Sequence, residues 1–187
     1  MSWNVISVDA VSPTAWRNGG GTSRELVAWP NPVDWTWRMS VAEVAKSGPF
    51  SQFEGVQRWF AVVSGAGVAL QTGGLLHTLG SSSQPICFDG AADTHCALID
   101  GATQDFNLMV RHDTIEAEMS RITAPVDFHV SDASVVAVFV MKTNTTIELN
   151  GSCVEIHSSS LAWRDVKGGD QIKIGASSAF LITIADR

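Results

Sequence analysis

The chain has no tyrosine among its 187 residues, only 12 lysines and arginines, and only three cysteines. Each shortage excludes something. A formal net charge of −7 argues against non-specific nucleic-acid binding, because that binding depends on basic side chains neutralising phosphate. No helix-turn-helix pattern is visible either, so direct DNA binding is not expected. Cys87, Cys96 and Cys153 are odd in number, far apart and without a C-x-x-C pair. They make neither a disulfide framework nor a zinc knuckle, which points to a reducing compartment. The opening MSWNVISVDAVSPTAW has no basic residue before Arg17 and no apolar run of signal-peptide length. No stretch approaches the roughly 20 apolar residues of a membrane helix. The expectation is a cytoplasmic protein with neither a nucleic-acid nor a membrane partner.

Helical periodicity is missing too, since no long window keeps an apolar stripe at i, i+3 and i+4. What is present has period two, the strand signal. Residues 22–29 alternate, and WTWRMSVAEV sets Arg38, Ser40 and Ala42 on one face, opposite Trp37, Met39 and Val41. TIEAEMSRI alternates as well, while SVVAVFVMK is the continuous apolar run of a strand buried on both faces. Asn150-Gly151 between alternating segments marks a hairpin. With 45% hydrophobic residues, many short strands and turns between them, the chain reads as an all-β sandwich or barrel. A weak internal repeat supports two β-modules: Val63 and Val140, Gly74 and Gly151, and Ser81 and Ser158 are each 77 positions apart. The expected division is 1–124 and 125–187.

Several chemistries drop out by motif. NGGGTS lacks the ending of a phosphate-binding loop, and no nucleophile elbow occurs. None of His77, His95, His112, His129 and His157 sits at metal-ligand spacing with another. What remains is a set of polar residues inside apolar strands. Arg38 lies between Trp37 and Met39, Arg58 precedes Trp59 and Phe60, and DFNLMVR puts Asp105 and Asn107 on one face. Buried charge is costly unless paired or bound to an opposite charge. Two arginines entering a core suit a carboxylate ligand, which guanidinium binds in bidentate fashion. Internal pairing with Glu25, Glu43 or Asp105 is the alternative. His95 reads as a base, a ligand contact or a structural residue in a loop before a strand. Gly19, Gly20 and Gly21, after Asn18, either form a turn or bring main-chain N–H groups to a ligand.

The blocks WRNGGGTSREL, WRMSVAEVAKSGPFSQFEGVQR, FDG and LIDGATQDFNLMVR together resemble the HutD/Ves family. The match runs in family order from about Trp16 to Arg111. The resemblance implies an all-β bicupin fold, two cupin-like modules in one chain, and an association with histidine utilisation. It also exposes an absence. Metal-binding cupins carry H-x-H and then a glutamate seven positions before the glycine of a G-x-G. Here that glutamate position is Arg58, counted back from Gly65, and the histidine positions fall in SQFE. His95 lies near the second-motif histidine, but its asparagine partner is replaced by Ile99. No metal and no cofactor are expected.

Carried over block by block, the resemblance puts Asn18, Gly19, Gly20, Gly21, Arg38, Ser40, Arg58, Asp105 and Asn107 at or near a pocket. A tryptophan or Phe60 is expected to stack on the ligand, and His95 is a further candidate ligand contact. The leading expectation is a non-enzymatic protein binding a small carboxylate of histidine degradation, such as urocanate or a formylglutamate-like acid, and modulating that pathway. On that reading no residue is catalytic. The alternative is a metal-independent hydrolase or isomerase with Glu43, Asp105 or His95 as general base. A third reading is an interaction module. The apolar run 135–141 raises a homodimer through an edge strand, and a barrel interior accounts for the same run.

Overall fold

The computed structural model describes residues 2–175 and 178–187. Among the described residues there is no α-helix, only a 3-10 turn at Val8–Ala10, and no helix long and apolar enough to cross a membrane. The strands begin with β1 (Asn4–Ser7), β2 (Thr14–Ala15), β3 (Gly21–Trp29), β4 (Trp37–Val44), β5 (Gly48–Pro49) and β6 (Val56–Ser64). The hairpin β7 (Val68–Thr72) and β8 (Leu75–Leu79) follows. Then come β9 (Ile86–Asp89), β10 (Thr94–Leu98), β11 (Thr103–Arg111) and β12 (Ile115–Ile122). Next are β13 (Val126–His129), β14 (Ser134–Val140) and the hairpin β15 (Thr145–Leu149) with β16 (Ser152–Ile156). The last are β17 (Ser160–Val166), β18 (Gln171–Ile174) and β19 (Ala179–Asp186).

Contacts divide these strands into two units. The first, Val11–Ile115, packs a six-stranded sheet ordered β2-β3-β4-β11-β6-β9 against a four-stranded sheet ordered β5-β10-β7-β8. Phe60, Val62, Val68, Leu70, Leu79 and Cys96 are fully or nearly fully buried at its centre. The second unit joins Glu116–Arg187 to the residues up to Ala10. Its sheets run β1-β17-β14-β19-β12 and β13-β18-β15-β16. A division at 124/125 therefore places two segments differently. β1 pairs with β17 and β12 edges the β19 side of the same sheet, so both belong to the later unit.

Pairing order repeats between the units, β5-β10-β7-β8 in one and β13-β18-β15-β16 in the other. The bounds of β7 and β8 recur 77 residues later as those of β15 and β16, the offset visible in the repeat. At the second hairpin Asn150 and Gly151 have φ of 49° and 83°, as a two-residue turn between right-twisted strands demands. The apolar run weighed both as an edge strand and as a barrel interior is β14, which is paired on both sides, with β17 and with β19. It offers no free edge. Val136, Val138 and Val140 enter the aliphatic core with Ile147, Ile172 and Ile174, while Phe139 stacks on Phe180 at 6.3 Å between ring centroids.

The glycine run is a turn. Gly19 N–H donates to the Trp16 carbonyl at 3.0 Å and Gly20 N–H to the Asn18 side-chain oxygen at 3.0 Å. Gly19 adopts φ +65° in open space, whereas a Cβ on Gly21 would collide with the backbone oxygen of Glu43 and stand 3.2 Å from the Trp16 ring. These positions should therefore respond differently to one methyl group. Gly21→Ala is expected to cost on the order of 3 kcal/mol or more, because the obstacle is sheet backbone. Gly19→Ala should cost only about 1 kcal/mol for its left-handed conformation. Urea unfolding of the two variants side by side checks this, and equal losses would refute the close-approach reading.

Candidate functional site: an arginine-lined cavity

Three rows of residues cross the six-stranded sheet of the first unit. Strand register aligns Ala28, Arg38, Met109 and Arg58 in one row, and Glu25, Ser40, Asn107 and Phe60 in the next. Ser23, Ala42, Asp105 and Val62 form the third. Alternation along each strand puts all three rows on one face. That face bounds a cavity of about 620 Å³, and the Trp16–Asn18 turn and the segment Pro49–Phe53 supply its other walls. Of the residues expected at a pocket, Asn18, Arg38, Ser40, Arg58, Phe60 and Asn107 line it.

Arg58 is the most constrained of them, at 5% exposure. Its terminal nitrogens donate to the Ser51 carbonyl and to Asn107 Oδ1, each at 3.2 Å. Its Nε–H has no partner. The rings of Phe50, Phe88 and Phe53 stand 5.2, 5.3 and 5.8 Å from the guanidinium carbon. Among the described residues no carboxylate lies within 4.0 Å of it. Burial first, and the neighbouring Arg38 second, lower its pKa to about 10, which leaves it charged at neutral pH. Neutral dipoles and ring faces alone hold this cation.

Arg38 is placed more loosely. Its Nη1 lies 3.6 Å from Glu25 Oε2 and its Nη2 donates to Met109 Sδ at 3.2 Å. Its guanidinium covers Trp35 at 4.6 Å and Phe53 at 5.0 Å, so both cations border the Phe53 ring. Burial lowers its pKa, the Glu25 charge opposes that shift, and Arg111 adds to it. Of the two arginines with an internal pairing alternative, only Arg38 has taken one.

Other expected residues lie off the cavity. Asp105 is on the correct face but is wholly buried, one row beyond Asn107. Its Oδ2 accepts from Thr103 Oγ1 at 2.8 Å and its Oδ1 has no partner. Burial pushes its pKa up to about 7, against the opposing Thr103 hydrogen bond. His95 is on β10, a strand rather than a loop, between Pro49 and Gln71. Its neighbour Cys96 points into the core, so alternation turns His95 outward, and it is exposed. Glu43 is exposed as well, so none of the three groups weighed as a general base lines the cavity. Gly19 and Gly21 do not line it either, and Gly20 borders a smaller adjacent pocket of about 160 Å³. The N–H groups of Gly19 and Gly20 are engaged internally, so they form no anion cradle.

Sequence reasoning missed Trp16, Arg17, Phe50 and Phe53 as cavity residues. Trp16 and Arg17 sit directly before the turn that carries Asn18, and adjacency to that turn was the available signal. Phe50 and Phe53 sit in a segment with no strand period, so no pattern announced which way they face.

A metal, which the cupin barrel often holds, does not fit these residues. Arg58 occupies the carboxylate position, and among the described residues no three His, Cys, Asp or Glu side chains converge.

Two repeated antiparallel modules, one with an arginine-lined cavity against its larger sheet, define a bicupin. The chain matches the HutD family over residues 9–182 and belongs to that family. Protein Ves of Cronobacter sakazakii is 39% identical over 106 residues, which cover 56% of this chain and 58% of that protein. This chain thus spans less than two thirds of that relative. HutD from Pseudomonas fluorescens SBW25, solved in a formate condition, is 27% identical with a TM-score of 0.85, covering 100% of both chains. A bacterial pirin from Escherichia coli, solved with nickel(II), shares the fold alone, at 12% identity and a TM-score of 0.70 over 99% of both chains. Family membership fits a protein associated with histidine utilisation.

Proposed function

We propose that the cavity binds a small carboxylate metabolite of histidine degradation, urocanate or a formylglutamate-like acid, and so modulates histidine utilisation in the cytoplasm. One observation carries this reading: among the described residues Arg58 is a buried cation with no carboxylate partner, at the wall of a cavity. A buried guanidinium held only by neutral groups is stabilised when a carboxylate supplies the missing charge. Asn107 orients it, Ser40 adds a hydroxyl one row away, and the part-exposed rings of Phe50 and Phe53 give flat apolar surfaces for the rest of the ligand. Of the ligands a cupin cavity of this size accepts, a small organic acid matches the charge.

The test is a thermal-shift and calorimetric panel on chelator-treated protein with histidine, urocanate, formiminoglutamate, formylglutamate and glutamate. At a hundredfold excess over Kd the bound acid should stabilise the fold by about 2.7 kcal/mol, and Arg58→Ala should abolish that gain. Silence across the panel, or stabilisation only by a divalent metal, would reject the reading. NMR of the acid that binds then shows whether it leaves unchanged.

A further inference from the structure

Glu25 is anomalous in a cavity suited to anions. Its carboxylate lines the same wall as Arg38, Ser40 and Asn107, and a negative charge there opposes any anion that enters. No protein hydrogen bond to it is present among the described residues. Its ion-pair partner among the described residues is Arg38, at 3.6 Å, which is longer than a hydrogen bond. The side chain is 39% exposed, so a ligand can reach it. Glu25 lies at one side of the wall on β3 and Arg58 at the other on β6, with β4 and β11 between them. The wall is therefore polarised: a carboxylate with no hydrogen bond at one side, a cation with no carboxylate partner at the other, and Arg38 paired with the first at 3.6 Å.

We infer that Glu25 makes the cavity selective for carboxylic acids that also carry an N–H donor, an amine, amide or amidine, over the same acid without nitrogen. This rests on the carboxylate-binding reading above. A ligand with its carboxylate on Arg58 would turn its nitrogen toward Glu25, and the hydrogen bond is charge-assisted because the acceptor is a carboxylate. Without the nitrogen, entry only brings the ligand's charge toward that of Glu25. The competing role is structural, with Glu25 merely tempering Arg38. That role predicts an equal effect on every acid.

The experiment titrates glutamate, N-formylglutamate and glutarate, three acids on one carbon skeleton, into the wild type, Glu25→Met and Arg58→Ala by calorimetry. In the wild type the better nitrogen acid should bind at least tenfold tighter than glutarate, the discrimination expected of one hydrogen bond to a charged group. In Glu25→Met that ratio should fall to about twofold or less, while glutarate binds as well as before or better, which also reports an intact fold. Arg58→Ala should lose all three. Wild-type binding of glutarate as tight as that of both nitrogen acids would overturn the role of Glu25 alone. So would a Glu25→Met effect of one common factor on all three acids. If none of the three binds the wild type while urocanate does, the inference about Glu25 falls and the carboxylate reading stands; if urocanate is silent as well, both fall.

Discussion

Asp105→Asn is expected to raise the melting temperature by about 5–10 °C at pH 8 relative to the wild type, and to leave it nearly unchanged at pH 4. Asp105 is wholly buried with one oxygen unpartnered, and burial holds its pKa near 7 rather than 3.8. The unfolded side chain ionises near 3.8, whereas the folded one keeps its proton until about 7. Between those values the folded state binds more protons than the unfolded state, so stability falls as pH rises. Above about 7 the loss is complete and constant. A shift of about three units sets a ceiling of roughly 4 kcal/mol, and each kcal/mol moves the melting point of a chain this size by about 2–4 °C. Asparagine keeps an acceptor for Thr103 and cannot ionise, so its stability should lack this fall. Cys96, next to Asp105, does not titrate in this window because burial pushes its thiol up to about 12. Melting curves from pH 4 to 8 decide the matter: parallel wild-type and Asp105→Asn profiles would mean that Asp105 ionises freely in the fold.

Arg58→Met is expected to weaken carboxylate binding at least hundredfold while leaving the unliganded protein as stable as the wild type, or about 1–2 kcal/mol more stable. The two effects share one cause. Arg58 is desolvated, its charge is compensated only by the Ser51 carbonyl, Asn107 and three aromatic rings, and a flexible apolar side chain of similar volume removes that cost. The same substitution removes the charged hydrogen bonds to ligand, at about 1.5–3 kcal/mol each. Calorimetry and urea unfolding on one preparation measure both. A destabilised variant that still binds the acid would make Arg58 a structural cation instead.

The fold was legible because β-pleating translates directly into sequence alternation. Arg38, Ser40 and Ala42 were separable from Trp37, Met39 and Val41 by period alone, and register with β11 then brings Asn107 opposite Ser40. The 77-residue offset was legible because two hairpins of identical length preserve it. Two features stayed open in the sequence for physical reasons. An all-apolar run such as β14 loses its period when both faces are buried, so edge and centre look alike. A glycine run does not disclose whether its N–H groups are free, since that depends on Asn18 folding back on Gly20. His95 was decidable: Cys96 beside it is a natural core residue, and neighbouring strand residues face opposite ways.

The measurement that bears most directly on the proposed anion cavity is the NMR titration of the arginine Nε–H groups with the acid selected by the calorimetric panel. Arg58 Nε–H, buried and without a protein partner, should move saturably with the calorimetric midpoint, accompanied by Arg38. Movement confined to exposed arginines such as Arg187, or an unmoved Arg58 signal at saturating acid, would contradict a carboxylate site built on Arg58.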